Sequence, residues 1–549
     1  MESINHSSEG NIMETKTLVS VNQASTWATH YLDRPVTPSN ISYLVQYAKI
    51  KKYHDDENKI KVNQDELKNY YDKYIIKKQE DWKKKLGTDL NWNLSFAHLR
   101  ESDTTKHVHR LHPYKGKFIP QLVEYFLDSH LNTFKKQIFF KEGDIVLDPF
   151  MGSGTTLIQS SELGLHSIGI DVSDFNCLMS KVKIGKYNLV KLDRTARDIC
   201  FKTREFSQKV FDDSFDAQLK EKLNDFNKKH FPNPEFKNKV RKNIINNEKE
   251  YGKEKLKQFL KENEEFFEKN GTKNKSGLLN ENDMNSFLNK WFSKRVRQEL
   301  FYYIKHLEKI DDENLRGVLR IVLSRTARSC RATKHSDLAT LTEPQIGPYY
   351  CRKHKKLCTP INSIVKHLIR YTYDTIKRLN EFSNLKKDVN SGVIHGDSRE
   401  INIFEEIKKQ NPEFFRLLSN KKISGIFTSP PYVGLIDYHD QHRYAYELFN
   451  IPRKEDKEIG PLYKGQGKQA RDEYVEGISK VLINVCKYLK DDGDIFIVAN
   501  DKYNLYPTIT EKSNLKIVNK FKRPVLNRTE KDRQPYSEII FHVKKNGNA

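Results

Sequence analysis

Apolar residues in this chain follow two rhythms, and the rhythms occupy different stretches. Short unbroken apolar runs, each closing on a polar or acidic residue, recur at Ile145-Val146-Leu147-Asp148, His166-Ser167-Ile168-Gly169-Ile170-Asp171, Gly392-Val393-Ile394-His395-Gly396-Asp397 and Ile426-Phe427-Thr428-Ser429. Runs of this length, bounded by turn residues, predict strands buried on both faces, as in a parallel sheet. Gly493-Asp494-Ile495-Phe496-Ile497-Val498-Ala499-Asn500 predicts a further buried parallel strand, and Glu538-Ile539-Ile540-Phe541-His542-Val543 a final edge strand. Between Asp171 and Asp397 the rhythm turns helical, with Phe287-Leu288-Trp291-Phe292 and Leu300-Tyr303-Ile304-Leu307 as examples. One helix and a short loop suffice to join neighbouring parallel strands, so these more than two hundred residues predict an insertion. Within it, Asn246 to Asn285 is charged and of low complexity, which predicts a solvated helix or linker.

The amino-terminal stretch is helical in a different way. Val21 to Leu32 has helical apolar spacing, Asp33-Arg34-Pro35 predicts a turn, and a second helix opens with Thr37 as its cap and Pro38 in its first position. Two short helices about a tight turn, followed by the basic Lys49-Ile50-Lys51-Lys52, resemble a helix-turn-helix of the excisionase or MerR type. That resemblance implies that Ser39, Asn40 and Ser42 face a DNA groove or its phosphates. The expected organisation is therefore a small helical region at 15–92, the first part of an α/β core at 93–190, a mainly helical basic insertion at 191–384 and the second part of the core at 385–549.

Charge narrows the partner. The 549 residues carry 96 Lys and Arg against 73 Asp and Glu, a net +23. Such a surplus calls for a polyanion, and with no apolar run approaching a membrane span the expected partner is nucleic acid and not a membrane. Met1-Glu2-Ser3-Ile4-Asn5 does not read as the start of a secretory signal, and six unevenly spread cysteines suit a reducing compartment. The expected location is the cytoplasm of a bacterial or archaeal cell, at the nucleoid.

Two motifs carry the chemistry. In Asp144-Ile145-Val146-Leu147-Asp148-Pro149-Phe150-Met151-Gly152-Ser153-Gly154-Thr155-Thr156 a strand runs into a glycine-rich turn and then a helix start. Glycines let backbone approach a ligand closely, and a helix start presents unpaired amides. No Gly-Lys-Ser/Thr follows, which argues against a triphosphate-binding loop, and the full Gly-x-Gly-x-x-Gly fingerprint is missing. Asp171, 17 positions beyond Gly154, ends the next strand, where a carboxylate accepts hydrogen bonds from ribose hydroxyls. The second motif is Ser429-Pro430-Pro431-Tyr432. Its prolines donate no amide hydrogens, so neighbouring carbonyls stay free to accept from a ligand amino group, and the tyrosine offers a ring for stacking.

Together these motifs resemble those of the amino-methylating DNA methyltransferases, over roughly His112 to Asp171 and Val393 to Val543. The resemblance implies a Rossmann-like α/β sheet that binds S-adenosylmethionine through Asp148, Pro149, Phe150, Gly152, Gly154, Thr155 and Asp171. Asp397 would lie near the adenine amino group, and Phe118, in His112-Pro113-Tyr114-Lys115-Gly116-Lys117-Phe118-Ile119-Pro120, would close over the methionine end. It further implies that Ser429, Pro430, Pro431 and Tyr432 hold a flipped-out base whose exocyclic amine takes the methyl directly. In that family Ser at the first motif position is typical of cytosine-N4 enzymes and Asp or Asn of adenine-N6 enzymes, so cytosine N4 is the expected target. No Pro-Cys pair is present for carbon-5 chemistry. Such an enzyme would partner a restriction endonuclease. Adenine-N6 methylation, an RNA or protein amine methyltransferase, and a non-catalytic DNA-binding regulator with a degenerate fold remain alternatives.

Two features of the insertion remain. Arg325, Arg328 and Arg331 are expected phosphate contacts, because guanidinium groups bind phosphate bidentately. Cys330, His335, Cys351, His354 and Cys358 supply enough thiols and imidazoles for zinc, but not in a recognised finger spacing. The expected reading is reduced cysteines beside DNA-contacting residues, with no metal and with zinc at Cys330, Cys351, His354 and Cys358 as the alternative.

Overall fold

Valine, isoleucine and phenylalanine fill the short apolar runs, and their branched or flat side chains suit a pleated surface covered on both sides. In the computed structural model, which describes residues 17–32, 36–46, 49–73, 77–96, 99, 103–132, 134–275, 286–334, 343–526 and 535–547, these runs become strands. The strands are β1 (Leu18–Ser20), β2 (Tyr53–His54), β3 (Ile60–Asn63), β4 (Ile145–Asp148), β5 (His166–Asp171), β6 (Tyr349–Cys351), β7 (Lys356–Cys358), β8 (Ser391–His395), β9 (Ile423–Thr428), β10 (Leu489–Ala499), β11 (Leu515–Pro524) and β12 (Ser537–Lys545). The chain divides into two units, Met1–Thr88 with Lys228–Tyr251, and Asp89–Asn227 with Gly252–Ala549.

The larger unit is built on a seven-stranded sheet in the order β11-β12-β10-β9-β4-β5-β8. Neighbours from β10 through β8 are parallel, and β12 runs antiparallel to both β10 and β11. Alternate residues feed opposite layers. Ile145, Leu147, Ile426, Ile495 and Ile497 enter one core, while Val146, Phe427, Phe496 and Val498 enter the other. A sheet covered on both faces has no polar side, which is why the runs are unbroken.

The sheet is thus of the mixed α/β, parallel-rich kind expected for an S-adenosylmethionine-dependent methyltransferase. Glu538–Val543 is not an edge strand, however. β12 returns between β10 and β11, leaving β11 at the edge, and Ile540, Phe541 and Val543 are buried. An edge strand and an interior strand of this length carry the same apolar residues, so only pairing separates them.

Much of the helical insertion shares a core with the flank of the sheet. Phe175, Met179 and Val182, on the helix after β5, share one cluster with Leu192 and Ile199, Leu300 and Tyr303, Val318 and Val322, and Leu368 and Phe382. Those pairs lie on helices Leu189–Val210, Lys294–Leu307, Glu313–Ser329 and Val365–Ser383. Amphipathic helices must bury their apolar stripe, and here the flank of the sheet supplies the partner. Part of the insertion, Lys228–Tyr251, belongs to the smaller unit, and the first boundary falls after Thr88 where 92 was expected. The charged run from Asn246 forms helices Glu248–Glu262 and Glu264–Lys275, with Phe259 fully buried against Phe226, so it is not simply solvated; residues 276–285 lie outside the described residues.

In the smaller unit, helices Val21–Tyr31 and Pro38–Gln46 appear where expected, and the expected turn at Asp33-Arg34-Pro35 lies outside the described residues. A three-stranded antiparallel sheet, β1-β3-β2, accompanies the helices. Its strands have two to four residues, too few for a period-two pattern to show in the sequence.

Candidate active site

The carboxyl ends of β4, β5, β8 and β9 meet at one cleft. β4 ends in Asp148, whose carboxylate accepts from Thr156 Oγ1 and Thr428 Oγ1, both at 2.7 Å, and from the Phe150 amide at 3.1 Å. Asp148 therefore ties the turn, the helix after it and the end of β9 together from below. Burial raises its pKa to about 6 against the pull of those hydrogen bonds.

The turn above Asp148 needs glycine twice. Gly152 and Gly154 have φ of 50° and 76°, and a Cβ at Gly154 would stand 2.7 Å from Ser180 Oγ. At Gly152 a Cβ would reach the Tyr114 ring at 3.0–3.1 Å, so a side chain there would close the gap between turn and ring. Asp171 braces the same turn by accepting from the amides of Gly152 at 2.9 Å and Ser173 at 2.8 Å, and from Asn176 Nδ2 at 3.1 Å. Its pKa also rises to about 6, chiefly through burial.

Of the residues expected to bind cofactor, Phe118, Pro149, Phe150, Gly152, Thr155, Asp171 and Asp397 line the cleft. Asp148 and Gly154 lie behind it, as support for the turn. Asp397 is held by Arg399, whose Nε and Nη2 donate at 2.9 and 2.6 Å. Burial pushes Asp397 up, but this pairing outweighs it and holds the carboxyl below the usual range.

In the Ser-Pro-Pro-Tyr motif, Ser429 and Pro431 line the cleft and Pro430 is buried beneath. The Tyr432 hydroxyl donates to Glu538 at 2.9 Å while its ring packs on the core under the sheet. Tyr432 was the expected stacking surface, but the rings that line the cleft include those of Tyr114, Phe118 and Tyr438.

Sequence reasoning passed over several of these. Tyr114 stacks at 6.1 Å on Tyr438, and His439 is hydrogen-bonded to Glu458, which also lines the cleft. Tyr114 stood within a quoted motif and its ring was the available signal. Tyr438 and His439 begin the four-residue helix Tyr438–Gln441 and Glu458 follows the short helix Glu455–Lys457, both after β9 and matching no local pattern.

The expected DNA contacts fare unevenly. Ser39 is exposed and Ser42 half-exposed, but Asn40 Oδ1 accepts from the amide and hydroxyl of Thr37 at 2.8 Å and so serves as a helix cap. Arg325 is only 8% exposed; it donates to Asp374 at 2.7 Å and lies 4.2 Å from the centre of the Tyr371 ring, so its guanidinium is paired within the fold. Its helix lies in the core that the insertion shares with the flank of the sheet. Arg328 is half-buried, and Arg331, 6% exposed, donates to the Arg328 carbonyl at 2.8 Å; both line a second cavity. Of the zinc candidates, Cys351, His354 and Cys358 converge, whereas Cys330 is buried apart from them against the Ser363 carbonyl. His335 lies outside the described residues.

Comparison with known proteins yields one long match and several short ones. A family described as DNA methylase matches residues 23–182. The Type II methyltransferase M.MjaII of Methanocaldococcus jannaschii is 50% identical over 97% of this chain and 98% of its own length. The Type II methyltransferase M.MvaI of Kocuria varians is 31% identical over 24% of this chain and 28% of its own length. The Type II methyltransferase M.BsoBI of Geobacillus stearothermophilus is 33% identical over 18% of each chain.

Proposed function

We propose that this chain, which belongs to the amino-group DNA methyltransferases, methylates N4 of cytosine in double-stranded DNA as the modification enzyme of a type II restriction-modification system. Enzymes of this family use S-adenosylmethionine, and the cleft suits it. Gly152 leaves a gap beside Tyr114 that a Cβ would fill, Asp171 and Glu458 offer negative charge, and Tyr114 and Phe118 offer rings to a cationic sulfonium. When bound, the cofactor supplies an electrophilic methyl group.

The protein's task is to hold and expose a weak nucleophile. The lone pair of a base amine is delocalised into its ring, and hydrogen bonds that draw the amino hydrogens out of plane return that pair to nitrogen. Ser429 Oγ and the Pro430 carbonyl are assigned that role, with positioning as most of the catalysis. A paired base must first leave the duplex, at a cost of a few kcal/mol. Stacking in the cleft offsets part of that cost, and Tyr114 and Tyr438 are better placed for it than Tyr432.

The observation that carries this reading is the joint lining of one cleft by the glycine turn, Asp171, Asp397 and Ser429. Serine at the first motif position favours cytosine N4. The test is expression in a host free of DNA methylation, followed by mass spectrometry of nucleosides from its genomic DNA. N4-methylcytosine is expected; N6-methyladenine would overturn the base assignment, and neither product would favour a non-catalytic DNA-binding protein.

A further inference from the structure

The hairpin β6–β7 interrupts the helical insertion. Tyr349 pairs with Cys358 and Cys351 with Lys356, so both thiols stand on one face of the hairpin, one residue pair apart. The turn between the strands folds back tightly. Lys355 has φ of 56° and its amide donates to the Cys351 carbonyl at 2.7 Å, which swings His354 over the same face. The ligand atoms of Cys351, His354 and Cys358 then lie within 4.8 Å of one another.

Their separations suit a tetrahedral ion. Zinc bonded to imidazole nitrogen at about 2.0 Å and thiolate at about 2.3 Å sets a nitrogen-to-sulfur edge of about 3.5 Å. His354 Nδ1 lies 3.5 Å from Cys358 Sγ. The His354 amide donates to Cys351 Sγ at 3.4 Å. Cys358 and His354 border a cavity into which His367 also faces, with its Nδ1 buried and without a hydrogen-bond partner. That cavity gives access to a fourth coordination position.

We propose that Cys351, His354 and Cys358 bind one zinc ion, with the fourth position open to the cavity. The body of the hairpin needs no metal. Asn227 bonds both the amide and the carbonyl of Leu357 at 2.9 Å, and a Cβ on Gly252 would stand 2.3 Å from the Tyr350 ring. The ion would instead fix the turn, which carries Arg352, Lys353 and Lys355, so loss of the ligands should leave the fold intact.

The experiment is metal analysis of the full chain purified under reducing conditions with zinc supplied. One zinc per chain is expected, together with a thiolate-to-cobalt charge-transfer band after exchange with Co²⁺. Cys351→Ser/Cys358→Ser should lose both signals while binding S-adenosylmethionine as tightly as the parent, which shows that it is folded. Absence of zinc from the parent, zinc retained in full by the double variant, or a Cys351–Cys358 disulfide in the parent under these conditions would each overturn the proposal.

Discussion

The glycine turn and the arginine-bearing helix of the insertion both take charged side chains out of water, and they complete them differently. Asp148 and Asp171 are met by amides, hydroxyls and a carboxamide, and among the described residues neither has an ion-pair partner. Burial then prevails and lifts both carboxyls to about 6. Arg325 is met by the Asp374 carboxylate and the Tyr371 ring, so its charge is neutralised within the fold. A charge compensated internally is architecture. A carboxylate supported by dipoles alone, at the edge of a cleft, still has something to gain from a ligand that brings donors or positive charge.

Four sites test this contrast. Ser429→Ala removes a group on the reactive side alone. Turnover should fall by about 100-fold or more while cofactor affinity stays near that of the parent, as single-turnover kinetics and calorimetry would show. An unchanged rate would remove Ser429 from the mechanism.

Arg325→Ala acts on the architectural side. It leaves Asp374 half-buried and short of its main partner, at a cost of about 3 kcal/mol in denaturant unfolding. Arg325→Met with Asp374→Leu should regain most of that loss, because the apolar pair leaves neither of its members charged and Arg378, the other partner of Asp374, keeps Glu381 at 2.9 Å. A loss of DNA affinity at unchanged stability would instead return Arg325 to the phosphate contacts.

Gly154→Ala places a Cβ at left-handed φ against Ser180, for about 2 kcal/mol of destabilisation. Cofactor affinity should fall with it, measurable in the same unfolding and calorimetric experiments.

The smallest effect concerns pH. The Asp171 carboxylate accepts hydrogen bonds when charged, and its raised pKa means that it is charged only above about 6. Cofactor affinity should therefore fall as pH drops through about 6, by at most about tenfold per unit for one proton. Asp171→Asn should bind about tenfold more weakly at neutral pH and show a flat profile over the same range; a parent profile already flat would exclude Asp171 as the titrating group.

Much of the catalytic sheet was legible because its signals are local. Asp148 closes an apolar run, Gly152 and Gly154 follow within six residues, and Asp171 ends the next strand, so one short window holds the strand, the turn and the acid. The insertion had no such window. Ser324 to Arg331 has the composition of a solvated basic helix face, and nothing nearby announces that Asp374 and Tyr371 will meet Arg325 across 49 and 46 positions. Asn40 differs in that its Oδ1 partner Thr37 sits three residues away, and helix capping is the more local use of that oxygen.

Local sequence sufficed for the class of sheet, the glycine turn, the acid that ends β5, the acid that follows β8, and the Ser-Pro-Pro-Tyr loop, because backbone torsions and strand periodicity act between neighbours. Tertiary structure decided that β12 lies inside the sheet, that Tyr114 and Tyr438 face the cleft in place of Tyr432, and which three of the cysteine and histidine candidates converge. Those outcomes depend on pairing and burial between residues far apart in the chain. The free energy of burying a side chain is set by what it meets, and a local pattern carries no record of that partner.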